Sequence, residues 1–146
     1  MKRAIEEFIT CKRIAVVGLS RGGKKFGNSA YAELSKRGYE VFAVHPEVEE
    51  IAGTRCYPNL SALRGKVDGV VISIPRGKVP GVIREAAAIG LNNVWLQQGA
   101  QSPEAVALGK DLNLSLVAGK CILMYAPPVG GFHAWHRALH RLFVKL

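Results

Sequence analysis

Residues 13–29 read Arg13-Ile14-Ala15-Val16-Val17-Gly18-Leu19-Ser20-Arg21-Gly22-Gly23-Lys24-Lys25-Phe26-Gly27-Asn28-Ser29. An apolar, β-branched run breaks into a loop of glycines and lysines, and a helical stretch follows from about residue 27 to 37. A strand that is apolar without alternation is one covered on both faces. Glycines free the backbone to turn and to offer N–H groups, and the helix N-terminus beyond carries a positive partial charge. Arg21, Lys24 and Lys25 add full charges. The unit reads as strand, phosphate cradle and helix, the cradle running from Gly18 to Ser29, so that Asn28 and Ser29 in the helix's first turn count among the candidate ligand contacts. The plain alternative is a flexible glycine loop with solvated lysines.

Working outward, the same strand signal recurs at 39–44, 68–74, 93–96 and 114–118, with helical stretches at 78–89 and 103–112. Ser102-Pro103-Glu104 reads as an N-cap followed by proline at the first helical position. Segment 45–67 is the least regular and carries a short helical signal near Asn59 to Leu63. Strands alternating with helices imply an α/β, Rossmann-like open parallel sheet of five strands, helices on both faces and right-handed crossovers. The chain of 146 residues is read as one such domain, 1–146, with no internal repeat or linker.

Composition narrows the function. Hydrophobic residues make up 49% and charged residues 21%, which is globular usage. No window approaches the ~18 uninterrupted apolar residues of a membrane span. Glu6 and Glu7 stand where a signal peptide needs its apolar core. Cys11, Cys56 and Cys121 are widely spaced and odd in number, which fits reduced thiols in the cytoplasm rather than a disulfide framework or a thiolate metal site.

The formal charge of +9 asks for an anionic partner. Residues 1–45 hold nine basic and four acidic residues, so +5 of the excess falls in the first third. There is no polybasic run and no basic stripe interleaved with aromatics, which disfavours nucleic acid and leaves a phosphorylated small molecule.

In an open parallel sheet, ligands bind beyond the carboxyl ends of the strands. Two familiar motifs fail in the first loop there. Gly18 to Lys24 matches GxxxxGK, but Lys25 replaces the Ser or Thr that would hold Mg²⁺. GxGxxG fails because Ser20 stands at its second glycine. The second strand ends in Val44-His45-Pro46 rather than the acid that would take a ribose diol, and His45 does not repel a ribose phosphate. The site fits an adenine nucleotide with more phosphate than NAD. An NAD(P)-dependent Rossmann oxidoreductase stays as the alternative reading, and a nucleic-acid-binding protein as a second one.

At these residues the chain resembles the small single-domain CoA-binding proteins, themselves similar to the N-terminal CoA-binding domain of the succinyl-CoA synthetase α subunit. The resemblance runs from Arg13 to about Tyr125. It rests on Gly18-Leu19-Ser20, Val44-His45-Pro46, Ser73-Ile74-Pro75 and Val94-Trp95-Leu96-Gln97-Gln98-Gly99, in that order on successive strand ends. It implies coenzyme A as ligand. Ser20, Arg21 and the backbone near Gly18 would meet the pyrophosphate. Val44, His45 and Pro46 would border the adenosine phosphate, with Lys24 or Lys25 on the 3′-phosphate. Ile74, Pro75 and Arg76 would lie along the nucleotide or pantetheine, and Leu96 and Gln97 near the pantetheine. Which of Arg21, Lys24 and Lys25 takes which phosphate stays open.

The expected role is binding, carriage or regulation rather than catalysis. The synthetase transfers phosphate through a histidine in a second domain, for which 146 residues leave no room. The five strand-end loops hold no nucleophile–base–acid set. His45 reads as a phosphate or ribose contact before it reads as a general base. Phe132 to Phe143 has the spacing of an amphipathic helix, with Phe132, Trp135, Leu139, Leu142 and Phe143 on one face. His133, His136 and His140 share a side of it, but no acid lies in 112–146 to complete a metal site, so they read as a polar border. That helix is a possible contact for a homo-oligomer or partner subunit. Cys121 reads as packing.

Overall fold

The computed structural model describes residues 1–129. Helix α1 (Lys2–Ile9) leads into strand β1 (Arg13–Val17), helix α2 (Phe26–Lys36) and strand β2 (Glu40–Val44). Strands β3 (Glu50–Ile51), β4 (Thr54–Tyr57) and β5 (Gly69–Ile72) follow, then helix α3 (Val79–Ala88). Strand β6 (Asn93–Gln97), helix α4 (Pro103–Asp111) and strand β7 (Ser115–Lys120) complete the order. The expected helix over 132–143, with His133, His136 and His140, lies outside the described residues.

The sheet runs β3-β4-β2-β1-β5-β6-β7. All neighbours are parallel except β3 and β4, which form a hairpin. Counted without β3, the parallel strands stand in the order 3-2-1-4-5-6 of a dinucleotide-binding fold. The sheet thus has seven strands rather than five. The two extra strands come from the irregular segment, where Ala52 and Gly53 both take positive φ in a two-residue turn. The helical signal near Asn59 is a single 3-10 turn at Leu60–Leu63, capped by the Asn59 side chain on the Ala62 N–H at 3.0 Å.

Alternate strand residues feed two apolar layers. Ile14, Val16, Val71, Trp95 and Val117 pack under α1 and α2 with Phe8 and Leu34. Ala15, Val17, Val70, Ile72, Val94 and Leu96 pack under α3 and α4 with Ile83, Ala86 and Ala105. Burial on both sides explains why the strands do not alternate in sequence. Trp95 fixes the first layer, with its ring edge-on to Phe8 at 5.3 Å and its N–H donated to the Lys120 carbonyl at 2.9 Å.

At the amino end of the sheet, Asp68 accepts from the Arg13 guanidinium at 2.8 Å and from the Arg13 and Lys12 backbone N–H groups. These donors, led by the Arg13 side chain, hold its carboxyl below the ordinary 3.8. Asp68 braces the sheet at the end opposite the strand carboxyl termini.

Candidate functional site

Strands β1 and β5 are neighbours whose continuations part. The chain leaves β1 for α2 over one apolar layer and leaves β5 for α3 over the other. This is the switch point at which an open α/β sheet makes a crevice. Gly18 sits on it with φ +134°, and a Cβ there would lie 2.1 Å from the Ser73 carbonyl oxygen. Gly27, in the first turn of α2, would place a Cβ 2.5 Å from the Gly18 backbone. Two glycines therefore let the first loop pass between the β5 loop and the helix at backbone contact.

The loop is held by a reciprocal clasp. Ser20 donates its backbone N–H to Asn28 Oδ1 at 3.0 Å, and Asn28 Nδ2 donates to the Ser20 carbonyl at 3.0 Å. The Ser20 hydroxyl also donates to Asn28 Oδ1, at 3.3 Å. Lys25, extended, precedes α2 without a side-chain cap bond, so the N-cap side chain leaves the helix's first N–H groups uncapped among the described residues.

Beyond these strand ends lies a cleft of about 810 Å³. Of the residues expected from sequence, Gly18, Ser20, Arg21, Lys25, Val44, His45, Pro46, Ile74 and Pro75 line it. Lys24 and Ser29 are exposed and lie outside the lining, and Asn28 acts through its clasp on Ser20. Arg76 donates to the Gly99 carbonyl at 3.2 Å and so ties the β5 loop to the β6 loop. Leu96 and Gln97 are buried beneath the cleft, where Gln97 Oε1 accepts the Ile122 N–H at 3.0 Å. Gln98, Gly99 and Ala100 take their place in the lining, because β6 runs on through Gln97.

Sequence reading missed the far wall: Pro58, Asn59, Leu60, Lys78, Val82 and Glu85. Lys78 closes the 3-10 turn that leads into α3, and with Val82 and Glu85 on the helix it is spaced i, i+4, i+7 along one side. Glu85 Oε1 accepts the backbone N–H groups of Leu60 and Ser61, which pins the crossover from β4 to β5 against the helix.

Arg21, Lys25 and Lys78 bring three cations to the lining, against Glu47 and Glu85. Glu47 pairs with Arg21 at 3.2 Å across the mouth, both side chains largely exposed. His45 Nδ1 accepts the Glu47 and Val48 backbone N–H groups at 3.1 and 3.2 Å. That assignment makes Nε2 the ring's donor nitrogen. The cleft can therefore take an elongated anion, with cations at its rim and Val44, Pro58, Ile74 and Val82 along its walls.

The three cysteines are free, and burial pushes the Cys11 thiol up to about 12. Among the described residues no cluster of three His, Cys, Asp or Glu forms a metal-binding group. None of the described helices is long and apolar enough to cross a membrane.

Comparison with known proteins gives one family match, described as a CoA binding domain, over residues 12–127. YneT of Bacillus subtilis (strain 168), an uncharacterised protein, is 30% identical over 122 residues, covering 83% of this chain and 90% of that protein. Acetate–CoA ligase (ADP-forming) I of Archaeoglobus fulgidus is 26% identical over 130 residues, covering 82% of this chain. The match spans only 19% of that ligase's length. Among solved structures, a hypothetical protein from Pyrococcus horikoshii OT3 aligns with a TM-score of 0.76 at 28% identity, over 84% of this chain and 87% of that one.

Proposed function

This chain belongs to the CoA-binding domain family, and from that premise we propose that it binds coenzyme A, or an acyl-CoA, in the cleft at the strand carboxyl ends. One observation carries the reading. Three cations converge on a switch-point crevice whose first loop lies at backbone contact with both neighbours. CoA carries roughly four negative charges near neutral pH, and charge-assisted bonds to phosphate contribute about 1.5–3 kcal/mol each. Arg21 and Lys25 would meet the phosphates from the first loop and Lys78 from the turn that opens α3. Lys25 is favoured over Lys24 for the 3′-phosphate, since only Lys25 lines the cleft. Arg76 acts as a brace on Gly99.

The proposed role is binding, carriage or regulation. The Ser20 hydroxyl donates to Asn28 rather than to a base, and His45 Nδ1 is engaged by two backbone N–H groups. Neither arrangement prepares a nucleophile.

Native mass spectrometry of the protein released from cells tests the reading. A mass increment equal to CoA or an acyl-CoA is expected, and it would identify the acyl group. A co-purifying NADP in its place would overturn the proposal.

A further inference from the structure

We propose that Asn59 and Glu85 read the base of the bound nucleotide and select a 6-aminopurine over a 6-oxopurine; this rests on the nucleotide reading of the cleft. Glu85 Oε1 is engaged by the Leu60 and Ser61 N–H groups, which fixes the carboxylate on the cleft wall. Its other oxygen, Oε2, accepts no hydrogen bond from the described residues. No buried side-chain polar atom among them lacks a partner, so Oε2 reaches solvent. Asn59, one residue before Leu60, spends Oδ1 on the Ala62 N–H, and its exposed amide keeps Nδ2 as a donor. One short turn and one helix thus bring an acceptor and a donor to the same wall of the cleft, joined through the Leu60 N–H on Glu85.

The Watson–Crick edge of adenine carries the complement, the 6-amino donor beside the N1 acceptor. Hypoxanthine reverses both groups, a 6-oxo acceptor beside an N1–H donor, so its oxygen would face the Glu85 carboxylate and its N–H the Asn59 amide donor. The spacing along α3 also fits a nucleotide. Lys78 and Glu85 are seven residues apart, about 10 Å along a helix axis. A phosphate at Lys78 therefore leaves the base near Glu85, with Val82, Leu60 and Pro58 for its faces.

The test is calorimetric titration of the full chain with CoA and with its 6-oxopurine analogue, repeated on Glu85→Gln and Asn59→Asp. The wild type should favour CoA by about tenfold, the scale of one well-made polar contact. Glu85→Gln offers an amide N–H to the 6-oxo group, so the ratio should fall to unity or invert. Asn59→Asp keeps the cap on Ala62 and replaces the donor by an acceptor. It should weaken CoA and narrow the ratio, and it decides the matter if Glu85→Gln fails to fold. Binding of both ligands by the wild type within twofold would overturn the inference while leaving the CoA reading intact. So would folded variants that keep the wild-type ratio. If the wild type bound neither ligand, the CoA reading itself would fall.

Discussion

Replacing Gly27 by alanine tests the close approach on which the cleft depends. Gly27 is the second residue of α2, where Gly→Ala in an exposed helix ordinarily stabilises by about 0.5–1 kcal/mol. Here the added Cβ would stand 2.5 Å from the carbonyl carbon and oxygen of Gly18 and 2.9 Å from the Leu19 nitrogen. All three are backbone atoms, so no side chain can swing aside, and helix and loop must separate. Overpacking of this kind costs about 1–3 kcal/mol. The two terms oppose each other, and at their midpoints the packing term wins by about 1 kcal/mol. Gly81, in α3, is the control, because a Cβ there meets nothing within 4 Å. Urea unfolding should show Gly27→Ala destabilised and Gly81→Ala unchanged or stabilised by up to about 1 kcal/mol. Because the separation also shifts the loop carrying Ser20 and Arg21, Gly27→Ala should bind CoA more weakly. A Gly27→Ala protein as stable as the Gly81→Ala control would refute the reasoning.

Asp68→Asn should destabilise by about 1–2 kcal/mol at pH 7, since it removes the charge that the Arg13 and Lys12 donors serve. The folded pKa of Asp68 is depressed, so its contribution is full above the unfolded value and is lost as pH falls through the folded one. The gap between wild type and variant in urea unfolding should therefore close below pH 4; a gap independent of pH would contradict the assignment. Glu47→Gln frees Arg21 at the mouth of the cleft, and an exposed pair of this kind is worth about 0.2–1 kcal/mol. CoA should bind up to about fivefold more tightly by calorimetry, with less gain at high salt; weaker binding would mean that Glu47 supports the ligand instead.

Much of this molecule was legible along the chain because the determining signals are local. The apolar run of β1, the glycine loop and α2 occur consecutively, and Ser102 caps Ala105 at 3.1 Å as Ser-Pro-Glu suggests. Helix α1 was overlooked because Lys2, Arg3, Glu6 and Glu7 dominate its sequence, although Ile5, Phe8 and Ile9 are the residues it buries. The β3–β4 hairpin escaped notice because its strands are short and its turn is Ala52-Gly53 rather than Asn-Gly. In the site, the loops after β1, β2 and β5 could be read from glycine, proline and charge. The wall of Asn59, Lys78, Val82 and Glu85 could not, because it exists only once the crossover from β4 docks on α3. The shift from Leu96 and Gln97 to Gln98 and Gly99 arises because β6 runs on through Gln97 and buries both side chains, which a short apolar run does not reveal.

Isothermal titration of the purified chain with CoA, dephospho-CoA and NADP addresses the central proposal most directly. Tightest binding is expected for CoA, with a loss for dephospho-CoA that shrinks in Lys25→Ala, because the 3′-phosphate has then already lost its partner. Saturable binding of NADP with no heat from CoA at millimolar concentration would contradict it.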